Sequence, residues 1–193
     1  MNEDRGNPVV RVTSKIAALL FPMLAASLVA LAATLAASLA VVGPARAQVP
    51  PAIAAPGEAT VATFHAEGAQ IYECKVDSNP GSDGKLAWAF REPIATLLLD
   101  GRTVGRHYAG PTWEHADGSA VVGKVAANAP GKTAADIPWL KLDVTAQRGS
   151  GALSGVTTVQ RINAQGGVHA GTCDKAGTFH SAPYAADYVF LRK

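Results

Sequence analysis

The chain has 193 residues, a formal net charge of +2 and only two cysteines. Four of its 17 basic and two of its 15 acidic residues precede Gln48, so the remainder carries equal numbers of both signs. A neutral chain without a basic run offers no electrostatic attraction for nucleic acid or for anionic lipid, and we expect neither as a partner.

The N-terminal segment has the layout of an export signal rather than of a folded domain. It contains three basic residues before its apolar part, namely Arg5, Arg11 and Lys15. An uncharged, alanine-rich run over 16–42 follows, and Ala45-Arg46-Ala47 supplies the small-x-small pattern of a cleavage site. We predict a helical signal peptide over 1–47, or, because the run is long enough to span a bilayer, an uncleaved membrane anchor. Both alternatives place the rest of the chain outside the cytoplasm, in the periplasm or the extracellular space, with the membrane touched only through this segment.

Cys74 and Cys173 both belong to the exported part. An oxidising compartment favours a disulfide between them, and two buried free thiols are the alternative. A bond would close a loop of about 100 residues, for which chain entropy gives a stabilisation of roughly 4 to 5 kcal/mol.

Residues 48–57 are rich in proline and alanine, which predicts a flexible lead-in. Residues 58–193 suit one domain. Short β-rich runs separated by turn residues predict an all-β domain, a single antiparallel β-sandwich or barrel. The clearest predicted strands cover 59–66, 70–76, 85–90, 137–146, 156–163 and 187–192. A tight connection over 67–69 is expected between the first two.

The segment 94–108 predicts a hairpin with a two-residue loop at Asp100-Gly101, since both central residues of a type I′ turn need positive φ. This register gives two facing pairs, Leu99 with Arg102 and Leu97 with Val104. A short helix over 94–99 is the alternative.

A second Asp-Gly pair lies in HYAGPTWEHADGSAVVGK, residues 107–124. A two-residue loop there sets Trp113 opposite Val122 on one face of the sheet and Glu114 opposite Val121 on the other. A three-residue loop would shift every partner by one, so the hairpin is predicted and its register is left open.

Seven short motifs, spread from about Val61 to Phe190, carry a family resemblance. They are YEC (72–74), HYAGPTWE (107–114), DGS (117–119), VGK (122–124), IPWLKL (137–142), VQRIN (159–163) and PYAADYVF (183–190). In this order they resemble the exported family called domain of unknown function 3455, although Ala185 stands where a threonine often follows PY. The resemblance implies a bacterial or fungal exported or surface protein, some fungal members being associated with infection structures, and it brings no established activity.

The stretch 107–124 also holds the strongest candidates for catalysis. His107 and Glu114, with His115 and Asp117 nearby, are the residue types that general acid/base hydrolysis uses. The alternative is that Glu114 is a solvated strand residue, Asp117 a turn residue and His107 a packed histidine. A serine nucleophile elbow is missing, because Ser154 in GALSG stands one place too late. Whether the protein is an enzyme is left open, and we favour a protein without catalytic activity.

Five histidines are candidate metal ligands, but none has the spacing of a known metal motif. They are His65, His107, His115, His169 and His180. We therefore predict no metal site and no cofactor.

Aromatic side chains are either the lining of a ligand groove or the filling of the core. They include Trp88, Trp113, Trp139, Tyr72, Tyr108, Tyr184 and Tyr188. The candidate ligand-binding residues are His107, Trp113, Glu114, Asp117 and Trp139. The favoured function is an exported envelope or surface module that binds a glycan, a small ligand or a protein partner. The alternative is an acid/base hydrolase centred on His107 and Glu114.

Overall fold

The computed structural model describes residues 48–193. After a short 3-10 turn at Pro51–Ile53, eight strands follow: β1 (Ala59–Val76), β2 (Leu86–Leu99), β3 (Arg102–Tyr108), β4 (Thr112–His115), β5 (Ala120–Ala129), β6 (Trp139–Arg148), β7 (Thr158–Gly166) and β8 (Phe179–Arg192). Each pairs antiparallel with its neighbours in sequence, and β1 pairs with β8, so the sheet closes. The all-β class is confirmed, and of the two predicted architectures the chain adopts the barrel.

The predicted signal peptide or anchor over 1–47 lies outside the described residues. Within residues 48–193, no helix has the length and apolar character needed to cross a membrane.

Alternation along the strands decides which side chains fill the barrel. In β8 every second residue from Ala182 to Phe190 is buried, namely Ala182, Tyr184, Ala186, Tyr188 and Phe190, and Leu191 is buried as well. An eight-stranded barrel has an interior just wide enough for side chains or for one small ligand. Part of this interior is a packed core that includes Phe64, Leu97, Val121, Val159 and Phe190.

β1 runs without interruption through Gly68, so the predicted connection over 67–69 is wrong. Gly68 lies opposite Ala95 of β2 and Tyr184 of β8. A Cβ atom at this position would overlap the carbonyl oxygen of Ile94 and the backbone of Ala95. The glycine therefore marks a close approach of two strands rather than a turn.

β2 is also continuous, so residues 94–99 form strand and the alternative helix is not formed. In the loop to β3 both residues of the Asp-Gly pair have positive φ, 50° and 73°, as a type I′ turn requires. Leu99 lies opposite Arg102 as predicted. A bulge then places Leu97 opposite Gly105, and the predicted pairing of Leu97 with Val104 is wrong.

The predicted hairpin of β4 and β5 is confirmed, and of the two loop lengths considered it has the three-residue one. His115 donates its backbone N–H to Ser119, which leaves three residues in the turn, and Gly118 has a φ of 86°. Trp113 consequently lies opposite Val121 and not Val122. Three-residue hairpin loops commonly end in such a left-handed glycine.

The lead-in over 48–57 was expected to be flexible, but part of it packs on the outside of the barrel. Ile53 is completely buried, and its carbonyl oxygen accepts a hydrogen bond of 2.6 Å from Gln160 Nε2. The 3-10 turn contacts β5 and β6, and Ile53 shares a buried cluster with Trp139. The lead-in therefore covers a part of the sheet that would otherwise expose Trp139.

Cys74 and Cys173 form a disulfide across a sequence separation of 99 residues. The predicted bond is confirmed, and the free-thiol alternative does not apply. It ties the end of β1 to the connection between β7 and β8.

Candidate functional site

A cavity of about 360 Å³ lies in the part of the barrel that the core leaves open. All eight strands contribute to its wall, which is mainly apolar and aromatic and includes Tyr72, Leu140 and Leu142. Phe90 and Val125 line its outer part and are about half exposed, at 51% and 49%. The volume falls near the lower end of the range of about 300 to 1,000 Å³ that is typical of small-molecule sites.

Three aromatic rings that pack against one another form one side of this cavity. His107 of β3 lies opposite Trp113 of β4, and their rings stack with centroids 4.5 Å apart and planes 7° apart. Tyr188 of β8 packs against both, with centroid distances of 5.0 Å and 5.2 Å. Each of the three side chains is at most 3% exposed, so this side of the cavity is rigidly packed.

His107 is a neutral hydrogen-bonding group. Its Nδ1 lies 2.9 Å from the carbonyl oxygen of Thr112, which can only accept, so Nδ1 carries the proton. Burial lowers the pKa of His107 to about 4; the bond to Thr112 opposes this shift, and the positive charge of Arg161 adds to it. At neutral pH the other ring nitrogen, Nε2, is therefore a hydrogen-bond acceptor.

Two buried donors in the cavity wall have no partner within the described part of the chain. They are the Nε2 of Gln70 and the indole Nε1 of Trp113. An unsatisfied buried donor costs about 1 to 3 kcal/mol, because the group has lost its water without gaining another acceptor. A ligand with acceptor atoms would remove this cost.

Arg161 of β7 brings a positive charge to the same cavity. It lies opposite Tyr188 on one side and Leu140 on the other. Its Nε and Nη2 donate to the carbonyl oxygen of Pro138 at 3.0 Å and 2.8 Å. Among residues 48–193, no carboxylate lies within 4.0 Å of the guanidinium.

Glu114 lies on the outer face of the barrel, away from this cavity. It faces Arg106 across the strands and accepts hydrogen bonds from Tyr108 Oη at 2.8 Å and Arg106 Nη2 at 3.0 Å. A second cation, Arg148 Nη2, is 2.7 Å away. The Tyr108 hydroxyl and the two guanidinium groups lower the pKa of Glu114 to about 2. His107 and Glu114 therefore lie on opposite faces without a shared cavity, and the predicted acid/base pair is not formed.

Asp117 has a structural position in the turn. Its Oδ1 accepts hydrogen bonds from the backbone and hydroxyl of Ser119, and its Oδ2 accepts one from Ala152 N at 2.8 Å. His115 Nδ1 is 2.9 Å from the same Oδ2. The Ser119 hydroxyl and the Ala152 amide hold the pKa of Asp117 far below its usual value. These contacts join the turn to the loop after β6 and leave no role in the cavity.

Trp139 is 5% exposed, packs with Ile53 and does not line the cavity. Of the five candidate ligand-binding residues, the structure thus brings only His107 and Trp113 together there. Glu114, Asp117 and Trp139 lie elsewhere.

The remaining histidines lie outside this cavity. His65 Nδ1 is 2.8 Å from Asp187 Oδ1, and the rings of His169 and His180 stack 3.7 Å apart. Within the described residues, no cluster of three or more His, Cys, Asp or Glu side chains is arranged to hold a metal ion.

Gln70 and Arg161 were missed as site residues. Both are polar residues within strands, which ordinarily face solvent. The sequence feature that could have identified them is their spacing along the strand. Gln70 is two residues from buried Tyr72, and Arg161 is two residues from buried Val159. Residues two apart in a strand share a face, so both side chains could have been assigned to the interior.

The fold and site define a closed, eight-stranded antiparallel barrel with a small interior cavity that contains a guanidinium group. The chain belongs to the family Protein of unknown function (DUF3455), which matches residues 55–192. The family resemblance seen in the seven motifs is confirmed. Comparisons with curated proteins and with solved structures find no match.

Proposed function

We propose that the barrel is a non-enzymatic module that binds a small, largely apolar ligand in its interior cavity. One observation carries the proposal: the core leaves this part of the barrel open where the buried donors of Gln70 and Trp113 lack partners. A cavity that is mainly apolar with a few convergent polar groups is the usual form of a small-molecule site.

A small molecule suits this site better than a glycan or a protein surface. Sugar sites generally offer an accessible aromatic face beside several hydrogen-bonding groups. Trp113 and Trp139, two of the three tryptophans considered for that role, are only 1% and 5% exposed, and the third, Trp88, is half-buried but lies outside this cavity. The enclosed aromatic wall around Trp113 favours an occupant that enters the barrel.

The proposal includes export of the domain by the segment over 1–47. The disulfide between Cys74 and Cys173 supports it, since such bonds persist mainly in oxidising compartments. Mass spectrometry of the protein isolated from a bacterial host should give a periplasmic species that begins at Gln48. Recovery of the uncleaved chain from the membrane fraction would instead show that this segment is an uncleaved membrane anchor.

Calorimetric titration with 2-naphthamide, a neutral aromatic probe, tests binding in the cavity. Val125→Trp places a large side chain at the outer part of the cavity and should weaken binding about tenfold or more. Ile94→Trp is the matched control, because Ile94 is equally exposed, at 48%, but does not line this cavity. Equal affinity of the two variants, both folded by circular dichroism, would refute binding at this place.

A further inference from the structure

We propose that the ligand carries a carboxylate and that Arg161 binds it. This inference rests on the proposed function, and it names the chemical class of the occupant. It is carried by a guanidinium that reaches a mainly apolar cavity without a carboxylate partner among residues 48–193.

The free donors of Arg161 suit a carboxylate. A guanidinium has five N–H donors, and the carbonyl oxygen of Pro138 accepts from Nε and from Nη2. Pro138 therefore leaves both N–H groups of Nη1 and one of Nη2, beside the Tyr188 hydroxyl, which also interacts with Arg161. The bond to Pro138 fixes the plane of the guanidinium, so these donors are oriented before a ligand arrives, which lowers the ordering cost of binding.

The charge of the cavity suits one negative charge. Arg91 also lines it, but Arg91 is already 3.2 Å from Glu92 Oε1 and 3.8 Å from Glu73 Oε2. Arg161 is thus the cation whose charge is not balanced by the described protein. A carboxylate balances it, whereas a phosphate dianion would leave excess negative charge beside apolar walls, which is costly.

Two neighbouring donors also favour an acceptor on the ligand, although Nε2 of His107, which lines the same cavity, is itself an acceptor. Gln70 Nε2 and Trp113 Nε1 are buried donors in the same wall, and each lacks an acceptor within the described chain. Gln70 is 3% exposed and Trp113 is 1% exposed, so water reaches neither freely. Carboxylate oxygens have enough lone pairs to serve a guanidinium and a further donor together.

A matched pair of probes tests the inference on the full-length protein. 2-Naphthoic acid and 2-naphthamide have the same ring system, and only the acid is charged at pH 7. We expect wild type to bind the acid about 10- to 100-fold more tightly, the range typical of a hydrogen bond to a charged group. Arg161→Gln should remove this preference while the amide still binds. Arg102→Gln, which removes a charge from an exposed strand position, should keep it.

Arg161→Lys covers the case in which Arg161→Gln fails to fold. Lysine keeps the positive charge but not the planar, two-pronged guanidinium, so the affinity ratio of acid to amide should decrease without reaching one. An unchanged preference in this variant would overturn the role of Arg161.

The remaining outcomes separate the two proposals. Equal affinity of wild type for acid and amide would overturn the carboxylate while cavity binding stands. Tighter binding of 2-naphthyl phosphate than of the acid would overturn the choice of anion. If folded wild type bound none of the three probes, the proposed function and this inference would both fall.

Discussion

His107 remains neutral inside the barrel because burial lowers its pKa to about 4. An unfolded histidine titrates near 6.5, so between about pH 6.5 and 4 the unfolded chain binds more protons than the folded one. The full stability is present above this window and falls with falling pH. We expect His107 alone to lower the free energy of unfolding by on the order of 3 kcal/mol at pH 4.

Denaturant unfolding of wild type and His107→Asn between pH 4 and 7 measures this contribution. Asparagine can still donate to the carbonyl oxygen of Thr112 but does not titrate. The variant should have lower stability at neutral pH and a smaller loss on acidification. Parallel pH profiles for the two proteins would show that His107 does not titrate as its burial requires.

The opposite orientation of Trp113 and Glu114 could be predicted at the residue scale, since adjacent strand residues point to opposite faces. The separation of His107 from Glu114 could not. It depends on the hairpin of β3 and β4, whose short turn contains Gly110 and Pro111 and which is not one of the two predicted hairpins. That turn sets His107 opposite Trp113 and puts both inside the barrel.

Gly68 shows how one residue determines the course of a whole strand. Gly68→Ala should destabilise the barrel by more than about 3 kcal/mol, because the added methyl group meets the backbone of β2, which cannot move aside cheaply. Thermal and urea unfolding would measure the loss. Ala59→Val, at the exposed start of the same strand, is the control and should have little effect. A Gly68→Ala variant as stable as wild type would contradict the close approach of β1 and β2.

The lead-in contributes to stability through Ile53. Ile53→Ala should cost about 2 to 5 kcal/mol, the range for truncating a fully buried aliphatic side chain. Ile94→Ala makes the same chemical change at a side chain that is 48% exposed, and it should cost far less. Similar urea midpoints for the two variants would mean that residues 48–57 are as flexible as their composition suggests.

Loops were predicted better than strand continuity at the element scale. Both Asp-Gly pairs form hairpin turns, the first with positive φ at Asp100 and Gly101 and the second with positive φ at Gly118 alone of the pair. The packing of Ile53 and the extended course of Gly68 depend on distant partners, Gln160 and Ala95, so local composition wrongly predicted a connection at Gly68 and could not predict the contacts of Ile53.

For the molecule as a whole, the all-β class could be predicted, but barrel closure could not be separated from a sandwich. Closure depends on the pairing of β1 with β8, the first and last strands, and local strand signals do not encode that pairing. The cavity could not be predicted for the same reason, since Gln70 and Arg161 line one cavity only once the barrel is closed. The disulfide could be predicted from the sequence, because its two cysteines offer only one pairing.

Binding inside the barrel is the central claim, and the indole N–H resonances of the tryptophans test it most directly. In a ¹⁵N-labelled protein, assigned by Trp→Phe substitution, we expect saturating 2-naphthoic acid to shift the Trp113 resonance, because Trp113 lines the cavity and its buried Nε1 has no partner in the described chain. Trp139, buried beside Ile53 and not in that wall, should remain unchanged and serves as the internal control. A saturable shift of Trp139 with Trp113 unmoved, or no shift of either, would contradict an interior binding site.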